Sequence, residues 1–173
     1  MEKWDLYSLD RKVVGEHIRG NAMPIDAYHL VVHIWIRNRN GQYLFTQRSG
    51  NKKTCPLKWE CVGGSVLKGE SSLHAAIREV YEEVGIDLSA EDGGLVITQI
   101  RDMDGETRVN DINDIYLYEY NGDVNLELAT TDEVADFKWM TKDEIIELFR
   151  KREVVTGIKD LSYFINDVDK IFK

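Results

Sequence analysis

Apolar and polar positions fall into blocks along this chain, and the period of each block predicts its element. Trp4–Leu9 and Val13–Ile18 flank the turn-forming pair Asp10-Arg11, which predicts an antiparallel hairpin followed by a connector over Gly20–Pro24. Ala27–Arg37 is rich in Val, Ile and aromatics. Asn38–Gly41 turns it into Gln42–Gln47, a second hairpin. Trp59–Val62 reads as a short strand entering a glycine loop, and Leu95–Arg101, Asp114–Tyr120 and Phe137–Met140 as further strands. Two helices have marked starts. Ser71 is a suitable N-cap for Ser72–Val84, with Gly85 placed for a left-handed C-cap. Thr141-Lys142-Asp143-Glu144 is a capping box that opens a helix to about Lys151, and Lys159–Phe172 reads as a terminal helix. Strands with helices between and after them predict an α/β sandwich.

The helix over Ser72–Val84 carries two different faces. Leu73, Ala76, Ile77, Val80 and Val84 recur at three- and four-residue spacing and form a stripe to pack on a sheet. On the other side Glu79 lies three residues before Glu82 and four before Glu83, so three carboxylates converge. Like charges so spaced weaken a helix, and a hard divalent cation with oxygen ligands would offset the repulsion. The alternative is a solvated acidic face with Arg78 and Lys68 as counterions.

Composition narrows the class. A chain of 173 residues, 43% hydrophobic and 31% charged, fits one domain over 1–173, with hairpin and connector at 1–24 and the core at 25–173. The net charge of −9 argues against nucleic-acid and anionic-membrane partners, which need clustered Lys and Arg. The first residues contain no apolar signal core and no later run is suited to span a bilayer, so a cytoplasmic location is expected. Cys55 and Cys61 give no disulfide framework and read as packing residues.

Gly64, Glu70 and Arg78-Glu79-Val80-Tyr81-Glu82-Glu83-Val84-Gly85-Ile86 stand at the spacing of the Nudix hydrolase signature, and the chain resembles that family at every fixed position. The resemblance implies a Nudix-type α/β/α sandwich with a mixed β-sheet, here with an N-terminal β-hairpin added. It implies an enzyme that hydrolyses a nucleoside diphosphate linked to a moiety X, using Mg2+ or Mn2+, by attack of water on phosphorus. Such attack needs charge neutralised on the phosphate and a carboxylate to position the water. The matching metal ligands are Glu79, Glu82, Glu83 and the carbonyl of Gly63, with Glu79 also the candidate base. Arg78 would hold a glutamate in place, and Glu70 would sit behind the ligands. Glu133 matches a loop position that supplies a further ligand or base in some members, with Asp132 its neighbour and rival.

A narrower resemblance lies upstream. His29-Leu30-Val31-Val32-His33, Gln47-Arg48-Ser49 and Asn51 to Pro56 are similar to isopentenyl diphosphate isomerases, in which the residues matching Arg48 and Lys52 hold the diphosphate and the one matching His29 binds metal. The isomerase cysteine falls here at Gly63, and two of its histidine ligands at Ser65 and Ala22, so three needed groups are missing. His29 and His33 share a strand face and read as buried, hydrogen-bonded residues. Tyr28, Trp35, Tyr116 and Tyr118 could stack a base but read as core. Three functions are thus in play: a pyrophosphohydrolase, an allylic diphosphate isomerase, and a nucleotide-binding module without turnover. The partner expected is a small diphosphate compound, bound by a monomer or homodimer.

Overall fold

The computed structural model describes residues 1–104 and 107–155. Its elements in chain order are β1 (Lys3–Tyr7), β2 (Val13–Ile18), β3 (His29–Arg37), β4 (Tyr43–Arg48), β5 (Trp59–Glu60), β6 (Val62–Ser65), α1 (Ser72–Val84), β7 (Gly93–Asp104), β8 (Thr107–Glu119), a 3-10 turn at Leu126–Leu128, β9 (Val134–Met140) and α2 (Lys142–Lys151). The expected helix at Lys159–Phe172 lies outside the described residues.

β3 is the spine. It runs parallel to β8 from His29↔Asp111 to Arg37↔Glu119 and antiparallel to β6 from Val31↔Ser65 to Ile34↔Val62. β7 pairs antiparallel with β8, and β9 with β4, so the sheet is mixed. The strand is buried on both sides, which explains its near-continuous apolar run. Leu30, Val32, Ile34 and Ile36 pack with Ala76, Val80 and Val84 of α1 on one face. Trp35 packs on the other with Phe45 and with Ile145 and Phe149 of α2. A helix on each face of a mixed sheet makes the α/β/α sandwich, with the β1–β2 hairpin docked beside it.

Four expectations change in detail. The second hairpin barely exists as a ladder, because β3 and β4 share only the pair Arg37↔Tyr43 and then part, β3 to β6 and β4 to β9 and β5. The strands that close a turn need not stay paired when better partners lie elsewhere. The glycine loop is a strand: Gly63 and Gly64 belong to β6. Strand β1 stops at Tyr7, where Ser8 N–H donates to the Lys12 carbonyl and Arg11 takes φ 60°. The hairpin β7–β8 is longer than expected because its polar residues are paired internally, as in Arg101 with Asp111 at 2.7 Å. Buried Asn110 likewise gives its amide to the carbonyls of Pro24 and Ile25.

Candidate active site

The cap signals place α1 where the sequence predicts. Ser71 Oγ accepts from His74 N–H, and Gly85 closes the helix at φ 69° with its N–H on the Tyr81 carbonyl. Any Cβ at Gly85 would also lie 2.7 Å from Leu128 Cβ, so the loop after β8 can pack against the helix end only over glycine. That loop reaches the site. Thr130 and Thr131 N–H both donate to the Glu82 carbonyl, at 2.9 and 3.1 Å, and Ser49 N–H holds the Glu133 carbonyl at 2.7 Å. These bonds bring Glu133 back over the acidic face of α1.

A cavity of about 280 Å³ lies there, lined by Gly63, Gly64, Arg78, Glu79, Glu82 and Glu83 from β6 and α1, and by Arg48, Lys52, Thr131 and Glu133 from the loops opposite. It brings together Gly63, Arg78, Glu79, Glu82, Glu83, Glu133, Arg48 and Lys52; Glu70 stands directly behind, and Asp132, the rival to Glu133, does not line it. The Arg78 guanidinium grips Glu70 with Nε at 2.8 Å and Nη2 at 2.9 Å, and spans Glu79 at 2.8 Å and Glu82 at 2.9 Å through Nη1. Its Nη2 also donates to the Ser65 carbonyl at 3.0 Å, tying helix to strand. Burial pushes the Glu70 carboxyl up, but Arg78 and the Leu67 N–H more than offset it, leaving Glu70 below its ordinary range. Gly64 leaves room for the Glu79 carboxylate: a Cβ there would come within 2.2 Å of it and push that side chain from its place.

The electrostatics are unbalanced in one place. Glu83 is 6% exposed, and no hydrogen bond or ion pair reaches its carboxylate from the described residues. Burial pushes its carboxyl well above the ordinary value, and the nearby charges of Glu60, Glu79 and Glu133 push the same way against a weaker pull from Lys52. Glu79 is raised too, by burial first and by Glu82 and Glu133, against the pull of Arg78. A hard divalent cation satisfies this donor set of carboxylates and a strand carbonyl. As they stand, no three acidic, histidine or cysteine side chains among the described residues converge closely enough to hold an ion, because Arg78 occupies the middle.

The cations opposite are also committed. Arg48 Nη1 bonds Glu60 at 2.7 Å and its Nε the Thr54 carbonyl at 3.1 Å, while Lys52 closes on Glu133. Glu60 escaped the sequence reading, since a lone glutamate between Trp59 and Cys61 carries no periodic signal. Glu2 and Arg19, which line the cavity, carry no such signal either.

The isomerase-like residues fare differently. His29 does not line the cavity; its ring stacks on Trp4 at 4.3 Å, and its Nδ1 is buried without a hydrogen-bond partner, contrary to the expected satisfied histidine. His33 is hydrogen-bonded, with Nδ1 3.1 Å from the Asn113 amide. Cys61 is 2% exposed in the core under α2, and burial raises its thiol far above the ordinary value, which makes it inert. Trp35, Tyr116 and Tyr118 are core residues, and Tyr28 is half-buried with its hydroxyl on Asp102. None of the four lines the cavity.

Residues 27–158 match the NUDIX domain family. An uncharacterised Nudix hydrolase of Listeria monocytogenes is 36% identical over 159 residues, spanning 90% of this chain and 89% of that protein. Isopentenyl-diphosphate Delta-isomerase I of Clarkia breweri is 30% identical over 190 residues, spanning 94% of this chain and 63% of that one. The crystal structure of Deinococcus radiodurans DR0079 superposes with a TM-score of 0.70 at 22% identity, covering 89% of this chain and 92% of its own, a likeness of fold. A helix with Arg78 braced among Glu70, Glu79 and Glu82, a glycine strand against it and a family match over most of the chain converge on one conclusion: this protein belongs to the Nudix hydrolase family.

Proposed function

We propose that this chain is a magnesium-dependent pyrophosphohydrolase that cleaves a nucleoside diphosphate linked to a moiety X. The observation that carries the reading is Glu83: a buried carboxyl that no hydrogen bond or ion pair from the described residues reaches, near the charges of Glu60, Glu79 and Glu133, in a cavity that also presents Arg48 and Lys52. Burying an uncompensated charge is costly, and such a group is retained where a ligand offsets it.

Glu79, Glu82, Glu83 and the Gly63 carbonyl would hold Mg2+, with Mn2+ as the substitute. Bound there, the metal would supply charge neutralisation on the phosphate oxygens and lower the pKa of a bound water. The chain's own residues do the rest. Arg78 keeps its two-pronged hold on Glu70 and so fixes the carboxylates as it gives up Glu79. The raised Glu79 carboxyl is suited to accept the proton of the attacking water, with Glu133 as the second candidate. Arg48 and Lys52 turn from Glu60 and Glu133 toward the diphosphate. The new O–P bond forms as the bridging O–P bond breaks, leaving two phosphate products.

The test is product release from nucleotide sugars, dinucleotides, nucleoside triphosphates and isopentenyl diphosphate, with magnesium, for wild type and Glu82→Gln. Hydrolysis of one compound, reduced about a thousandfold in the variant with the fold retained, is expected. Full activity in Glu82→Gln would sink the reading. Double-bond migration in isopentenyl diphosphate would favour the isomerase, which the absent groups at Gly63, Ser65 and Ala22 argue against. Ligand binding without any product would favour a sensing module.

A further inference from the structure

The N-terminal hairpin stands outside the family match, which begins at residue 27, yet two of its residues line the catalytic cavity. It is held in place along its whole length. Trp4 and Leu6 are buried, and Trp4 stacks on His29. Tyr7 and Tyr28 exchange backbone hydrogen bonds at 2.7 and 2.9 Å. Arg11 reaches Asp114 at 2.9 Å. Lys68 N–H donates to the Lys3 carbonyl at 2.9 Å, Gly69 N–H to Asp5 Oδ2 at 2.7 Å, and the Lys68 ammonium pairs with Glu16. The last three contacts fix the hairpin to the turn that leads into α1, so its open end sits at a set position over the cavity. At that end Arg19 N–H donates to the Glu2 carbonyl at 3.1 Å, and the two side chains pair at 2.7 Å.

The cavity wall holds four cations, and they are not equivalent. Arg48, Lys52 and Arg78 have side chains 15%, 20% and 23% exposed, each paired with a carboxylate. Arg19 is 56% exposed and its partner Glu2 42%. An exposed pair of this kind contributes little, about 1 kcal/mol or less, so Arg19 is the cation redirected to a ligand at least cost. The rest of the lining offers only Leu67 and glycines as apolar surface. Such a wall suits a chain of anionic groups rather than a base. Resting on the proposed hydrolase, we infer that Arg19 is a substrate-binding residue that reads a third anionic group, a phosphate or carboxylate beyond the scissile diphosphate, and that the hairpin was added to present it.

The test compares inorganic tripolyphosphate with pyrophosphate, by calorimetric titration of the magnesium-loaded protein and by inhibition of whichever panel compound is hydrolysed. Wild type should bind tripolyphosphate about tenfold more tightly, as one charge-assisted contact allows. Arg19→Gln should bring that ratio close to one, and Arg19→Lys should restore part of it. A ratio unchanged in Arg19→Gln overturns the inference, as does a fall in melting temperature with no change in the ratio, which would make the pair a strut. Because titration needs no turnover, silence across the hydrolysis panel would count against the proposed reaction and leave this ratio to decide Arg19.

Discussion

The two helices that sandwich the sheet treat charge in opposite ways. In α2 the charges follow the helix: Asp143 and Glu144 occupy the first turn, Arg150 and Lys151 the last, and Glu147 pairs with both of the latter. Its capping box is complete on both sides, with Thr141 Oγ1 accepting from Glu144 N–H and Glu144 returning to Thr141 N–H. Every such feature lowers the free energy of the helix. In α1 the first turn has no acid and the last no base; Arg78 and Glu79 stand one turn before the end and Glu82 and Glu83 in the last turn itself, where Glu83 is buried among like charges. One helix spends its polar face on stability. The other gives stability up to make a site, and recovers it through Arg78, the apolar stripe and, on our reading, a metal.

Substitutions can sharpen that contrast. The largest effect is expected on the α2 side: Phe149→Ala empties part of a packed core and should cost about 3–5 kcal/mol in urea unfolding, with kcat unchanged while the protein stays folded. An equal loss of kcat would mean the two faces are coupled.

Glu83→Gln should act in the opposite sense. The folded carboxyl titrates above its ordinary 4.5, so its contribution favours folding below that pH and is lost as pH rises through the folded value. In metal-free protein near pH 7.5 the variant should therefore be more stable than wild type, on the order of 1–2 kcal/mol, a gain that fades toward pH 4. Added magnesium should raise the melting temperature of wild type and do little for the variant. A variant less stable than wild type in chelator would show that Glu83 has a compensating partner.

The smallest effect is expected at the cap. Thr141→Ala should cost about 1 kcal/mol and leave the kinetics alone, as read by unfolding and steady-state assays side by side. A change in KM would place the start of α2 in contact with substrate, against its position across the sheet from the cavity.

The sequence by itself determined what depends on near neighbours. Ser71, Gly85 and the stripe from Leu73 to Val84 mark α1 because capping and periodicity act within a turn or two. The same locality makes Glu70, Arg78, Glu79, Glu82 and Glu83 recognisable as a set. Only the tertiary structure decided what depends on register between distant segments. It turned the glycine loop into β6 by pairing it with β3, where a Cβ on Gly63 would lie 2.5 Å from the Val32 carbonyl oxygen. It divided the β3–β4 hairpin, brought Glu133 over α1 through two threonine N–H groups, and set Arg48 and Lys52 in one wall, paired with Glu60 and Glu133. It also set Arg19 at the mouth. None of these contacts leaves a short-range pattern, since the residues that make them lie far apart in the chain and meet only when the sheet has chosen its partners.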